Sequence, residues 1–473
     1  MNENTKCPYA KKCSGCQLQN MTYEEQLRFK QGKLVSLLGR FCRIMPIIGA
    51  KNPVNYRNKL QSAFAHRDGR LLTGIYQSAR RAVVSVDHCM LEDIRSQKIV
   101  KSLQKICARL KIKAYDLRRG TGVLRHVTVR TADNGSQIMV VLVTAVPELP
   151  HSRELTRELI SAHPEITCLI HNVNDTETPL FITEKSRVLY GSGYITDTLC
   201  SLHFRIGPRS FYQVNHEQTE ILYKTVLDFA CLTGSERVID AYCGAGTISL
   251  CLAKRCKEVI GVELNSEALS NAKENARINS IDNARFYCAD AGKFMTQMAQ
   301  QGERADLVVT DPPRAGCSRE FLSSLLTLAP RRIVYVSCNP ETLARDLAFL
   351  VRNGYTVRKI QGVDMFPFTG HVETVVLLSR EKADDHIRFS INTEDLKKNV
   401  GGYATYGDIK AYVLEKFGLK VSSLYIAQTK DKCGIKEREN YYIGEGKSKE
   451  LICPPEKEQA IMDAFRHFGM LRD

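Results

Sequence analysis

The sequence predicts an α/β protein built around a mostly parallel sheet with helices on both faces. Three observations carry that reading. Short β-branched or apolar runs recur at Val238-Ile239, Val259-Ile260, Leu307-Val308-Val309 and Ile333-Val334-Tyr335-Val336. These runs and the Phe286-Tyr287-Cys288 tract lead into groups able to do chemistry: Asp240, Glu263, Asp290, Asp311 and Cys338. The first run opens into a glycine-rich turn, Cys243-Gly244-Ala245-Gly246-Thr247, with a helix-like stretch from Ile248 to Lys254 behind it. In a doubly wound, Rossmann-like sheet the carboxyl ends of the strands border one crevice, so these tips describe a single site. At 473 residues the chain is long enough for about three domains, each burying its own core.

From the amino end, Cys7, Cys13 and Cys16 form C-x5-C-x2-C, and Cys89 follows in Val86-Asp87-His88-Cys89. Four thiolates hold either an iron–sulfur cluster or zinc, and spacing alone does not decide between them. A triplet plus a distant single suits a cluster better than the paired ligands of a zinc ribbon. The chain has 17 cysteines, no signal-peptide pattern and no apolar run of membrane-spanning length, so a reducing, cytoplasmic setting is expected.

Residues 50–200 read as a mostly β region, with strand-like runs at Lys59 to Ala65, Val123 to Arg130, Ile138 to Val143 and Leu169 to Asn174. Asn55-Tyr56-Arg57-Asn58-Lys59 and Leu124-Arg125-His126-Val127-Thr128-Val129-Arg130 mix basic and polar groups suited to phosphates and bases. His126 is read either as a base contact or as a hydrogen-bonded structural histidine.

In residues 201–380 the glycines at 244 and 246 permit positive φ and close backbone approach to a ligand. Glu263 stands 19 positions after Gly244, where a ribose diol is met in a nucleotide-binding βαβ unit. The third glycine of the dinucleotide fingerprint is missing, and S-adenosylmethionine needs no pyrophosphate clamp. Pro312 and Pro313 stiffen the backbone just after Asp311. A thiol at Cys338 and a carboxylate at Glu373, each beside an apolar run, suit a reaction in which a nucleophile adds to a ring and a base later strips a proton.

Residues 381–473 hold equal numbers of basic and acidic residues, so the whole net charge of +15 lies in the first 380. Such an excess on a catalytic body suits a polyanionic substrate and salt-sensitive binding. In this last stretch Thr405-Tyr406-Gly407-Asp408 opens a helix through Phe417, and Ser422 or Ser423 starts another. Tyr441-Tyr442-Ile443 reads as a strand, and a final helix runs from Glu456 to Phe468 after Pro454-Pro455. The order fits a small α+β, winged-helix-like domain.

Five motifs taken together are specific: Phe211-Tyr212-Gln213-Val214-Asn215, Asp240-Ala241-Tyr242-Cys243-Gly244-Ala245-Gly246-Thr247, Asp311-Pro312-Pro313-Arg314-Ala315-Gly316, Ser337-Cys338-Asn339-Pro340 and Gly370-His371-Val372-Glu373. Over roughly residues 7–380 the chain resembles the RNA uracil-C5 methyltransferases, most closely the bacterial enzymes acting on 23S ribosomal RNA. The resemblance implies that Gln213, Tyr242, Glu263 and Asp311 contact S-adenosylmethionine, that Cys338 is the nucleophile and that Glu373 is the base. It also implies a [4Fe-4S] cluster on Cys7, Cys13, Cys16 and Cys89, in a structural role because methyl transfer needs no electron.

The chemistry agrees with those roles. Carbon 5 of uracil is too weak a nucleophile to take a methyl group from a sulfonium unaided. Addition of the Cys338 thiolate at carbon 6 makes carbon 5 carbanion-like, and Glu373 then removes the carbon-5 proton. A free thiol of pKa about 8.5 is only a few per cent thiolate at neutral pH, so activation is required. Charge developing on the uracil oxygens also needs donors, for which Arg314 and backbone groups near Cys338 are candidates. Enzymes that alkylate exocyclic amines typically carry an aromatic residue after Pro-Pro; here Arg314 stands there, which favours a ring carbon.

The expected organisation is an iron–sulfur segment at 1–49 completed by Cys89, a central RNA-binding domain at 50–200 and a methyltransferase domain at 201–380, followed by the small domain at 381–473. In the family the central region grips RNA so that the target base is extruded. Many ribosomal members begin with an OB-like barrel that this sequence does not display, so RNA affinity is expected to come from elsewhere. The small domain replaces the barrel on that reading; a protein-contact or structural role is the other expectation for it. A monomer acting on RNA, with neither DNA nor membrane as partner, is expected. Two other functions are a transfer-RNA uracil-C5 methyltransferase and a noncatalytic iron–sulfur RNA-binding protein.

Overall fold

A computed structural model describes residues 7–77, 82–132, 135–176, 181–380, 404, 406–433, 435, 453–468 and 470–471. The chain divides into two compact units, Met1–Ala383 and Asp384–Asp473. In chain order, α1 (Tyr23–Leu38) and β1 (Ile44–Ile48) precede β2 (Lys59–Arg67), β3 (Arg70–Gln77), β4 (Ala82–Ser85) and α2 (Ile94–Arg109). Next come β5 (Leu124–Ala132), β6 (Gln137–Thr144), α3 (Ser152–Ala162), β7 (Ile166–Val173), β8 (Ser186–Gly191) and the ribbon β9 (Ile195–Leu199)–β10 (Leu202–Ile206). The alternating half follows: α4 (His216–Ala230), β11 (Arg237–Ala241), α5 (Thr247–Ala253), β12 (Glu258–Glu263), α6 (Ser266–Ile278), β13 (Ala284–Cys288) and α7 (Ala291–Gln300). It ends with β14 (Leu307–Thr310), α8 (Arg319–Leu328), β15 (Arg332–Ser337), α9 (Pro340–Arg352), β16 (Tyr355–Val363) and β17 (Glu373–Arg380).

The larger sheet has eight strands in the order β1-β16-β17-β15-β14-β11-β12-β13. All run parallel except β17, which slots antiparallel between β15 and β16. The chain begins at β11, winds outward through β12 and β13, and then returns to β14 on the other side. That reversal opens a crevice at the carboxyl ends of β11 and β14, the usual ligand position in such sheets. Fully buried Val238, Ile239, Val259, Val308, Val309, Val334 and Tyr335 make the strands apolar on both faces, as a sheet covered by helices requires.

The central region is a seven-stranded sheet, β4-β3-β2-β5-β6-β7-β8, antiparallel apart from the β6–β7 pair. Helices α2 and α3 cover one face through Leu60, Ile99, Leu103, Val127, Leu155 and Leu159. The four strand-like runs read in the sequence coincide with β2, β5, β6 and β7, although β7 ends at Val173 rather than Asn174. The amino-terminal boundary falls elsewhere than expected. Residues 1–49 read as a separate segment, yet β1 pairs with β16, and Leu34, Leu38 and Ile44 are buried in the core of the large sheet. A capping box between Thr22 and Glu25 starts α1, so the cysteine triplet lies on the irregular stretch before it.

In the second unit α10 (Tyr406–Phe417), α11 (Ser423–Lys432, capped by Ser422) and α12 (Pro455–His467) enclose Ile409, Val413, Ile426, Ile461 and Phe465. The three helices lie within a residue or two of where the sequence put them. The strand expected at Tyr441-Tyr442-Ile443 lies outside the described residues.

Candidate active site

The turn after β11 forms one wall of a cavity of about 780 Å³, within the size range of small-molecule sites. Gln213, Tyr242, Glu263 and Asp311, named from the sequence, all line it, together with Asp240, Gly244, Thr247 and Asn271. Both turn glycines adopt positive φ, 55° at Gly244 and 80° at Gly246. A Cβ at Gly246 would stand 3.0 Å from the Ala272 methyl and 3.3 Å from the Phe286 ring, whereas one at Gly244 would meet only open space. Tyr242 has φ of 64°, a conformation that L side chains avoid and that recurs at ligand sites. Its ring rests against Phe321 with centroids 5.2 Å apart.

Glu263 braces this turn. One of its oxygens accepts from Gly244 N at 3.1 Å and the other from Asn265 N at 2.8 Å. Each carboxylate oxygen has a second lone pair, so a ribose diol is still accommodated. Asp240 is buried and accepts from Ser249 Oγ at 2.5 Å; burial moderated by that bond pushes its carboxyl up to about 7. Burial alone raises Asp311 to about 7. Five carboxyl residues line the cavity, Asp240, Glu263 and Asp311 with Glu184 and Glu267, and such a lining suits a positively charged ligand, as a sulfonium is. Asp290 caps α7 by accepting from Lys293 N and does not line this cavity.

Cys338 sits in the turn between β15 and α9. Its neighbour Asn339 caps α9 by accepting from Glu341 N, and Pro340 occupies the first turn, so helix-start rules hold the thiol in place. Asn339 Nδ2 and Thr342 Oγ1 both donate to the Arg314 carbonyl at 3.2 Å, which locks this turn to the Asp311-Pro312-Pro313-Arg314 turn. Ser337 pairs with Thr374 across β15 and β17. Cys338 follows the last paired residue of β15 and Glu373 precedes Thr374 on β17, which brings the thiol within electrostatic reach of the carboxyl.

The electrostatics record the same meeting. Glu373 is buried, and burial followed by the Asp311 charge raises its carboxyl to about 8 against the opposing pull of Arg314. Cys338 is half-buried, and burial, Glu373 and Asp311 push its thiol up to about 11, again opposed by Arg314. The Arg314 guanidinium also approaches His371 Nε2 at 3.5 Å. Cys338, Glu373 and Arg314 therefore gather near Asp311, which lines the cavity, while Cys338 and Glu373 themselves lie outside its lining.

The four amino-terminal cysteines converge less completely. Cys16 lies within electrostatic reach of Cys89, Cys13 and Cys7, and burial plus those neighbours raises it to about 12; burial first raises Cys89 to about 11. Among the described residues, however, no three His, Cys, Asp or Glu side chains stand close enough to hold a metal ion. Four thiols are, as a donor set, suited to a cluster.

Among the lining residues, Gln61, Phe181 and Arg209 carried no distinctive sequence signal, whereas Lys59 belongs to the basic stretch read as suited to phosphates. Lys59 and Gln61 alternate on β2 and so share the face that reaches the cavity, joined there by Phe181 and Arg209. Burial, with Arg130 and Arg57 nearby, lowers the Lys59 ammonium to about 8. His126 stacks on Phe181 with centroids 4.5 Å apart, and burial with Arg125 lowers it to about 4, so it is a neutral ring.

A sequence model described as tRNA (Uracil-5-)-methyltransferase matches residues 22–381. An uncharacterized RNA methyltransferase of Halalkalibacterium halodurans is 46% identical over 377 residues, covering 79% of this chain and 82% of its own. Another from Clostridium tetani is 42% identical over 377 residues, with the same coverage of 79% and 82%. Among solved structures, the Pyrococcus abyssi tRNA (uracil-54, C5)-methyltransferase, in complex with S-adenosyl-L-homocysteine, superposes with a TM-score of 0.66. It is 29% identical, and the match covers 77% of this chain and 86% of that one.

Proposed function

The chain belongs to the tRNA (uracil-5-)-methyltransferase family, and from that premise we propose that it methylates carbon 5 of a uridine in 23S ribosomal RNA through a covalent bond from Cys338 to carbon 6. Membership itself makes it an S-adenosylmethionine-dependent RNA uracil-C5 methyltransferase; the class of RNA and the covalent route go further. One observation supports the covalent route above others: Cys338 lies within electrostatic reach of Glu373 and of Asp311, which also lines the donor cavity. A noncatalytic RNA-binding protein has no use for that juxtaposition.

Gln213, Tyr242, Glu263 and Asp311 hold the donor, which when bound supplies an electrophilic methyl group. Cys338 loses its proton to water, and the resulting thiolate bonds to carbon 6, leaving carbon 5 electron-rich. Arg314 stands beside both reacting groups and offsets the negative charge that the ring acquires. After transfer, Glu373 takes the carbon-5 proton, the carbon–sulfur bond breaks, and the thiol is free again. The buried carboxyl suits that task, since an acid near 8 is a stronger base than an ordinary glutamate.

The four-cysteine arrangement supports the ribosomal reading and, by its donor set, an iron–sulfur cluster with a structural role. Transfer RNA is the second reading, and the description of the family together with the Pyrococcus enzyme favours it. Mapping 5-methyluridine in 23S and transfer RNA from cells with and without this protein separates the two. Loss from 23S RNA alone is expected; loss from transfer RNA alone overturns the ribosomal reading. A Cys338→Ala variant should bind RNA yet transfer no methyl group, and retained transfer would remove Cys338 as nucleophile. Iron and sulfide assays on anaerobically purified protein test the cluster. Among the described residues no helix is long and apolar enough to cross a membrane.

A further inference from the structure

The loop that delivers Glu373 is held from outside its own strands. Residues 364–372 join β16 to β17, and Val363 pairs with Glu373 across the hairpin, so Asp364 lies one residue beyond the base's cross-strand partner. Lys30 of α1 donates to Asp364 Oδ1 at 2.5 Å and to the Phe366 carbonyl at 3.0 Å. Both side chains of this ion pair are completely buried. Tyr23, two turns earlier on α1, donates to the other Asp364 oxygen at 2.9 Å. Further along the loop, Gln26 Oε1 accepts from Phe368 N at 2.7 Å, and Leu18 N donates to the Phe368 carbonyl at 3.0 Å. Phe368 itself has φ of 66°, a strained backbone that persists only where surroundings enforce it.

A buried ion pair is a poor way to gain stability, because desolvation offsets most of the attraction and apolar side chains would fill the space as well. It is a good way to impose one geometry on a loop. Lys30 meets this loop through Asp364 and the Phe366 carbonyl, at the end of the loop opposite Glu373. Its hold on the base is therefore exerted through the loop backbone that both ends share.

We propose that Lys30, with Asp364 and Tyr23, is a positioning group for proton removal: it sets where Glu373 stands relative to carbon 5 of the methylated adduct. The inference rests on the reading of Glu373 as the base. It gives the helix that follows the cysteine segment a part in one chemical step, and it predicts which step fails when the clamp is weakened. A displacement of about 1 Å at a reacting group is enough to slow a step on the order of 100-fold.

The experiment is single-turnover methylation by the full-length protein, with in vitro transcribed 23S and transfer RNA carrying tritium at uridine C5 and a carbon-14 methyl donor. Two variants are compared with the parent. Tyr23→Phe deletes one bond to Asp364 and leaves the ion pair in place. Lys30→Met combined with Asp364→Asn removes the pair without stranding a buried charge. In both, methyl-bearing protein–RNA adduct should accumulate, with tritium release slowed more than methyl incorporation and donor KM unchanged within about twofold. The effect should be larger in the double variant, on the order of 10–100-fold. Methyl incorporation and tritium release falling together without adduct, or both staying at parent rates, would overturn the positioning role. Glu373→Gln is run alongside. Adduct there but not in the clamp variants rejects the clamp alone, and no adduct there rejects Glu373 as the base.

Discussion

Replacing Glu373 by Gln should stabilise the folded protein at neutral pH while stalling its chemistry. The carboxyl is 4% exposed, and its pKa moves from 4.5 to about 8 on folding. A raised carboxyl pKa means that the folded state prefers the protonated form. The sign follows: the stability tied to that proton is fully present below pH 4.5 and is lost as pH rises through about 8. At ~1.4 kcal/mol for each tenfold change, the loss amounts to roughly 5 kcal/mol once the site is fully ionised, and to about 3 kcal/mol at pH 7. Gln keeps the shape of the protonated acid and titrates nowhere in this range, so the variant escapes the loss. The assay is urea unfolding followed by far-UV circular dichroism at several pH values, since the chain has no tryptophan to report fluorescence. Variant and parent should be alike near pH 4.5, and the gap in favour of Gln should widen to pH 8 and then level off. A gap independent of pH, or one favouring the parent at pH 8, would refute the reasoning, because it would mean that the carboxyl does not titrate in a buried site.

Three further outcomes follow from the same geometry. The rate of adduct resolution should rise with pH toward about 8 as Glu373 ionises; Arg314→Met should move that limb to higher pH, because it removes a cation that lowers both groups. S-adenosylmethionine, being cationic beside Asp311, should lower the apparent pKa of Cys338 alkylation relative to neutral S-adenosylhomocysteine, as measured by mass spectrometry of the peptide carrying Cys338; equal values would show that Asp311 does not couple the donor site to the thiol. Gly246→Ala forces a Cβ onto Ala272 and Phe286 at positive φ, so donor affinity by calorimetry should fall at least tenfold, with a stability loss of about 1–2 kcal/mol; unaltered affinity would mean that the turn does not shape the cavity.

Much of the parallel sheet was legible because its strands obey a local rule. An apolar run buried on both faces and ending in a polar residue needs no knowledge of distant partners, so β11, β12, β14 and β15 could be placed from their own residues. The helix starts are legible for the same reason: Asn339 with Pro340, and Ser422 in the second unit, satisfy donors a few positions away. What escaped is pairing across long separations. Nothing near Ile44–Ile48 says that it joins β16 more than three hundred residues later, so the segment was assigned to the cysteine region instead. A short apolar strand at a sheet edge looks the same whichever sheet receives it.

The site divides along the same line. The residues proposed to contact the donor sit on strand tips, and strand tips converge whenever the sheet is doubly wound; Tyr242, Glu263 and Asp311 are brought together by topology alone, and Gln213 by the segment that precedes α4. The meeting of Cys338 with Glu373 needs one further fact, that β17 runs antiparallel beside β15, and an apolar octapeptide does not announce its direction. Nor does the sequence announce the sign of the local field. Cys338 and Glu373 looked like a thiol awaiting activation and an ordinary acid, yet burial and Asp311 hold both toward their protonated forms, with Arg314 as the opposing charge. Without that field a thiolate and a carboxylate would face each other and repel a further negative charge on the ring. Held toward their neutral forms, they lessen that repulsion. On the proposed mechanism a cationic donor beside Asp311 would favour ionisation of the thiol, and that dependence is what would tie the cavity to Cys338.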